Sequence, residues 1–257
     1  MKIFALFAAL VSGLACSALQ TQAPSPPLRV LSYNIHHGRG TDGVIDLERI
    51  ARVIREADVQ LVALQEVDRK TGRSGGVDQA AILGELCGME VAYGCAMPYD
   101  GGEYGEAVLS SLPIREVHVH PLPASEGHEP RAALEVRILH QGREISFTGT
   151  HLDHTSDPTD RISQSEEMVR ALQFEGPALL LGDLNATPGE ESMERLDPHW
   201  TRVPSGSTFP SDSPTKAIDH VFFRPADQWV LEGWSVLDEP VPSDHAPLRA
   251  VLRLADR

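Results

Sequence analysis

The stretch "LLLGDLNATPG" at 179–189 joins a wholly apolar run, Ala178 to Leu181, to a carboxylate and an amide two residues apart, Asp183 and Asn185. On an extended backbone, side chains at i and i+2 point the same way. The pair can therefore hold one water between them, the carboxylate taking or orienting its proton while the amide offers a donor and an acceptor. Taken alone, a capping Asp and a turn-forming Asn before Pro188-Gly189 would look the same. The pattern recurs, however. Asn34, His36 and His37 lie at the end of "RVLSYNI", Glu66 closes "VQLVALQEV", and His151, Asp153 and His154 close "REISFTGTHLDH". Asp219 and His220 sit in "AIDHVFF", and Asp244 and His245 precede "APLRAVLRL". Acids, amides and imidazoles at the ends of six apolar segments are hard to explain by solubility, and strand ends that meet at one rim of a sheet are where sites are built.

The segments that must position these groups alternate in period. "RVLSYNI" (29–35) and "VQLVALQEV" (59–67) read as strands, and "DLERIARVIREA" (46–57) puts Leu47, Ile50, Val53, Ile54 and Ala57 on one helical stripe. The Gly-rich "TGRSGGVDQ" leads to a second amphipathic helix over about 77–87, and a third lies near 159–174. "AVLSSLPI", "EVHVHPL", "RAALEVRIL", "AIDHVFF", "WVLEGWSVL" and "APLRAVLRL" add strands. Hairpin-forming strands mixed with three helices predict an α/β sandwich rather than a purely parallel doubly wound sheet. No linker follows residue 28, so 29–257 forms one domain.

The 257-residue chain has an ordinary globular composition, 41% hydrophobic and 23% charged, with a formal net charge of −15. Its mean surface repels polyphosphate backbones and anionic lipid, which disfavours, without excluding, a nucleic-acid partner. Residues 1–23 carry one Lys, an apolar stretch and small residues, the outline of a secretory signal, with a Pro-rich spacer at 24–28. The apolar stretch is too short for a comfortable membrane span, so no transmembrane span is expected in the mature chain. Export is the expected localisation: periplasmic, secreted or, through Cys16, lipid-anchored. The Gly three residues before Cys16 keeps ordinary cleavage open. Export would also permit a Cys87–Cys95 disulfide, against which stands the simpler reading of two unpaired thiols.

Seven short motifs, "SYNIHHG", "LQEVD", "YGEAVLS", "GTHLDH", "LLLGDLNATP", "AIDHVF" and "PSDHAPL", stand in an order that resembles the endonuclease/exonuclease/phosphatase superfamily over residues 29 to 254. The resemblance implies a four-layer α/β/β/α sandwich of two packed mixed β-sheets flanked by helices, and a magnesium-dependent phosphoesterase in which Mn²⁺ can substitute. Glu66, with Asn34 beside it, resembles the metal-ligand set, and Asp244 a holder of metal-bound water or a second ion. Asp183 and Asn185 resemble the pair that positions and activates water, His245 oriented by Asp219 a proton-transfer group, and His151 a stabiliser of phosphoryl charge. Arg131 and Tyr104 are similar to phosphate contacts. His36 replaces an acid carried by several relatives and is read as a substrate contact, while Glu106 stands where a small or amide residue is usual.

Substrate is less legible. Arg39, Arg69, Lys70 and Arg73 lie in two loops that follow metal-site strands, an arrangement suited to extra phosphate on a compact substrate. His118 and His120 share a strand face but lack a third ligand. The aromatic content is 5%, with no evident stacking platform for single strands. Three functions follow: hydrolysis of a phosphate mono- or diester of a small molecule or lipid headgroup, a secreted nuclease, or an inactive binding module that keeps the fold. The oligomeric state is not readable from the chain.

Overall fold

The computed structural model describes residues 26–255. The expected signal segment, Cys16 and the start of the spacer lie outside them. Two six-stranded mixed sheets face each other, as expected for the α/β/β/α sandwich. In the first, β1 (Leu28–Asn34) and β2 (Leu61–Arg69) run parallel at the centre, flanked by β12 (Leu248–Leu254) and β11 (Trp229–Val236) on one side and β4 (Gly102–Ser110) and β3 (Glu90–Tyr99) on the other. In the second, β7 (Arg143–His151) and β8 (Ala178–Asp183) are the parallel pair. β6 (Arg131–His140) and β5 (Ile114–Leu122) lie to one side, β10 (Asp219–Arg224) and β9 (Thr201–Arg202) to the other.

Leu28, Val30, Leu61 and Ala63 from the first sheet pack against Ile145, Phe147, Leu179, Leu181 and Val221 from the second, all fully buried. Strand alternation sends Leu31, Tyr33, Val62 and Leu64 outward onto α1 (Leu47–Glu56) and α2 (Gln79–Cys87). It sends Ala178, Leu180 and Phe222 onto α3 (Thr159–Ala171) and α4 (Glu191–Leu196). Asp46 caps α1 by accepting from the Arg49 N–H at 3.1 Å. No helix among the described residues is long and apolar enough to cross a membrane.

Some expectations change. "AVLSSLPI" is not one strand: Ser110 Oγ bonds the Leu112 N–H and carbonyl at 3.0 and 2.5 Å, closing a turn before β5 starts beyond Pro113. β3 is an edge strand with broken burial alternation and α4 is six residues long, so neither has a clear period in the sequence. Cys87 and Cys95 are both free thiols.

Candidate active site

The alternation that buries the inter-sheet core also aims the chemistry. Val30 faces the core, so Asn34 does too; Leu179 and Leu181 set the direction of Asp183, Phe147 that of His151, and Val221 that of Asp219. The register places His151 beside Asp183 and Asp183 beside Asp219 on three adjacent strands. The site is thus the polar continuation of the core. Glu66 arrives differently. A β-bulge between Leu64 and Val67, with Glu66 at φ +58°, turns its carboxylate into the cleft.

Asn34 ties the two sheets together. Its Nδ2 donates to Glu66 Oε1 and to Asp183 Oδ2, each at 3.0 Å, and its Oδ1 accepts the His36 N–H at 3.0 Å. Both amide hydrogens are engaged by carboxylates, so Asn34 sets their positions, while its Oδ1 is the atom it would offer to a cation. Asp183 Oδ1 accepts the Asn185 N–H at 2.9 Å, and Asn185 Nδ2 donates to the Leu152 carbonyl at 3.1 Å. Burial raises the Asp183 carboxyl to about 7, against the opposing pull of His245 and these donors.

His245 lies between two carboxylates, with Nδ1 2.9 Å from Asp219 Oδ2 and Nε2 3.5 Å from Asp183 Oδ2. Burial alone would lower its pKa, but Asp219 and Asp183 outweigh it and push it up to about 10, so the ring is an imidazolium at neutral pH. Thr208 Oγ1 donates to Asp219 at 2.5 Å, and Phe209 packs 4.8 Å from the His245 ring. His151 is held the other way. Burial and the Arg131 guanidinium keep it well below the usual histidine range. His151 Nδ1 lies 3.0 Å from Arg131 Nη1, and its Nε2 lies 3.0 Å from Asn185 Nδ2 and 3.5 Å from Asp183 Oδ2.

His151, Asp183, Asn185 and His245 line a cleft of about 270 Å³ with Glu66, Arg73, Tyr104, Arg131, His154 and Asp244. Arg73 is fixed by two 2.8 Å bonds to the buried Asp68 and rests over the Tyr99 ring at 4.5 Å. Tyr104 is buried and 3.4 Å from Arg131 Nη1. Burial and the Glu66 charge keep its hydroxyl well above its ordinary pKa. The other loop cations do not reach the cleft. Arg39 and Lys70 are exposed, and Arg69 pairs with Asp78 and Glu103 at 3.2 and 3.4 Å. Met97, Tyr99, Glu129 and Phe209 also line it, without any sequence motif to announce them. On β5, His118 pairs with Glu116 of the same strand and His120 with Glu135 of β6, and neither histidine lines the cleft. Asp153 holds a turn through Thr155 at 2.9 Å, while His154 accepts from Arg131 Nη2 at 3.2 Å.

The donors suit a divalent cation. Glu66 and Asp244 present carboxylates at the cleft, and His36 Nδ1, buried and without a hydrogen-bond partner, lies 3.6 Å from Asp244 Oδ1. Donor atoms of His36, His37 and Glu66 fall within 4.8 Å of one another, as do those of Asp183, Asp219 and His245. The second group is already closed by its His245–Asp219 hydrogen bond and is better suited to proton transfer.

The family model described as "Endonuclease/Exonuclease/phosphatase family" matches residues 31–245. The chain is 27% identical to the uncharacterised protein YbhP of Escherichia coli K12, across 91% of this chain and 99% of that one. Its fold superposes on an endonuclease/exonuclease/phosphatase protein of Beutenbergia cavernae with a TM-score of 0.75 at 25% identity, covering 90% of this chain and 72% of the other. A mannosyl-6-phosphatase of Bacteroides thetaiotaomicron shares the fold with a TM-score of 0.72 at 20% identity, over 89% of this chain and all of the other.

Proposed function

As the chain belongs to the endonuclease/exonuclease/phosphatase family, whose members hydrolyse phosphoester bonds, we propose that it is an exported, divalent-cation-dependent phosphoric ester hydrolase. Its substrate in this reading is a phosphorylated small molecule or lipid headgroup. The observation that carries the reading is the convergence of His151, Asp183, Asp219 and His245 with Glu66 and Asp244 around one compact cleft.

Glu66 and Asp244 are the residues placed to hold Mg²⁺, or Mn²⁺ in its stead, and the ion supplies positive charge to the phosphoryl oxygens when bound. Asp183 accepts the proton of the attacking water, its raised pKa matching a base that works near neutrality. Asn185 orients that water; its backbone N–H already fixes the Asp183 carboxylate. His245, charged between Asp219 and Asp183, is the proton donor at the cleft. Arg131 and the neutral His151 face the charge that develops on phosphorus-bound oxygen. Arg73 and Tyr104 shape the wall against which the rest of the substrate lies.

The small cleft and the net charge of −15 favour a compact ester over duplex DNA. An inactive binding module is disfavoured because the whole set is present and hydrogen-bonded. Export is read from the signal-like segment at 1–23, and fractionation of expressing cells checks it. The activity test compares bis-p-nitrophenyl phosphate, p-nitrophenyl phosphate, inositol phosphates and plasmid DNA, with Mg²⁺ or Mn²⁺. Asp183→Asn should lower turnover by about 10²–10⁴-fold. DNA cleavage that weakens with salt would favour the nuclease, and absence of turnover on every ester would sink the proposal.

A further inference from the structure

We propose that His36 is a nitrogen ligand of the metal centre, which makes it a mixed imidazole–carboxylate site that favours a first-row transition ion over Mg²⁺. The inference rests on the metal-dependent reading above and goes beyond it in ligand set and ion class.

Three observations converge on His36. Its Nδ1 is buried without a hydrogen-bond partner although the side chain keeps 30% of its exposure. The carboxylate oxygen nearest it, Asp244 Oδ1, stands at 3.6 Å, beyond hydrogen-bond reach. A buried ring nitrogen left unpaired costs about 1–3 kcal/mol, and a ring nitrogen of His36 also lies within 4.8 Å of a Glu66 carboxylate oxygen, an arrangement that a cation satisfies.

The backbone is held in place for this purpose. His36 and His37 both have φ +45°, ahead of Gly38 at +77°. Left-handed conformations in non-glycine residues cost about 1–2 kcal/mol each and persist where surrounding structure enforces them. The enforcing contact is the His36 N–H on Asn34 Oδ1, at 3.0 Å, from the same amide that clamps Glu66. One residue therefore fixes both the carboxylate and the imidazole. His37 packs edge-on against the His36 ring at 4.6 Å and limits its rotation.

The spacing and chemistry agree. Donors around a six-coordinate ion with bonds of about 2.1 Å lie about 3 Å apart when adjacent and a little over 4 Å apart when opposite. The His36–Asp244 separation of 3.6 Å and the 4.8 Å limit on the His36–Glu66 group require only small movements to meet those values. Mg²⁺ selects oxygen donors and retains its waters, whereas imidazole draws ions further along the first transition row.

The test uses Mn²⁺ as probe with wild type, His36→Ala and His36→Asp. Spin-echo detection of ¹⁴N coupled to bound Mn²⁺ reads the ligand directly, without turnover, and free Mn²⁺ measured by electron paramagnetic resonance gives affinity. Wild type should show the imidazole ¹⁴N modulation. His36→Ala should lose it and bind Mn²⁺ at least ~10-fold more weakly. His36→Asp should lose it yet bind tightly, and Mg²⁺ should displace Mn²⁺ from it at ~10-fold lower concentration than from wild type. Bound Mn²⁺ without nitrogen coupling in wild type, or coupling that survives both substitutions, overturns the assignment alone. Wild type that binds no Mn²⁺ overturns both it and the metal-dependent reading.

Discussion

Replacing Asn34 by Asp tests whether the amide joins the two sheets. The change is nearly isosteric, but it removes two N–H donors, each 3.0 Å from a carboxylate oxygen of Glu66 or Asp183. Hydrogen bonds to charged groups contribute about 1.5–3 kcal/mol each, so their loss alone destabilises by about 3–6 kcal/mol. A third carboxylate is placed in a site where Asn34 is fully buried. Two unit charges 3 Å apart repel by about 5 kcal/mol at an effective dielectric of 20, a burden relieved by proton uptake or by a cation. For a chain of this size 1 kcal/mol moves Tm by about 2–4 °C, so Asn34→Asp in EDTA should melt on the order of 10 °C below wild type. Millimolar Mn²⁺ should recover part of that loss, and should raise the variant's Tm more than it raises that of wild type. Scanning calorimetry with and without Mn²⁺ reads both. A variant that melts within about 2 °C of wild type in EDTA would show that the amide does not hold the carboxylates.

Other outcomes follow from single contacts. Asp219→Asn removes the carboxylate 2.9 Å from His245 Nδ1 and should lower kcat by about 10²-fold with little change in KM, measured on bis-p-nitrophenyl phosphate. Gly182→Ala should reduce both stability and turnover, because a Cβ there would lie 2.0 Å from the Thr150 carbonyl oxygen, one residue before Asp183; melting and activity assays on the same preparation show it. His220 is fully buried with Nε2 2.9 Å from the Ala186 carbonyl, and burial lowers its pKa below the ordinary 6.5. The unfolded chain then binds a proton the fold refuses. Stability should fall as pH drops below about 6.5, by at most about 1.4 kcal/mol per unit, and His220→Gln should flatten Tm against pH between 7 and 5.

Asp183, His151 and Asp219 were legible in the sequence because strand period alone places them one step beyond apolar residues of known facing. Glu66 was legible as a residue but not as a geometry, since the bulge that turns it leaves no compositional mark. The basic loops were misread in part. Arg39 and Arg69 are as close in sequence to site strands as Arg73 is, yet only Arg73 has a buried carboxylate, Asp68, and the tyrosines of β3–β4 to hold it at the cleft. The tyrosines lie on strands well beyond the loop in sequence, and loop conformation, unlike strand period, depends on such contacts. Met97, Glu129 and Phe209 reach the cleft for the same non-local reason.

The proposed catalytic set is divided: Asn34 and Glu66 belong to one sheet, His151, Asp183 and Asp219 to the other. Sliding one sheet over the other by an ångström would separate the two halves while leaving every strand ladder intact, and displacement of that size can lower a rate about 10²-fold. If the proposed hydrolysis holds, its rate is a gauge of shear between the layers, to which a measure of secondary structure alone is blind. In the proposed reading, a phosphate ester held through the cation on Glu66 in one layer and by Arg131 in the other would act, for as long as it is bound, as a rivet through both.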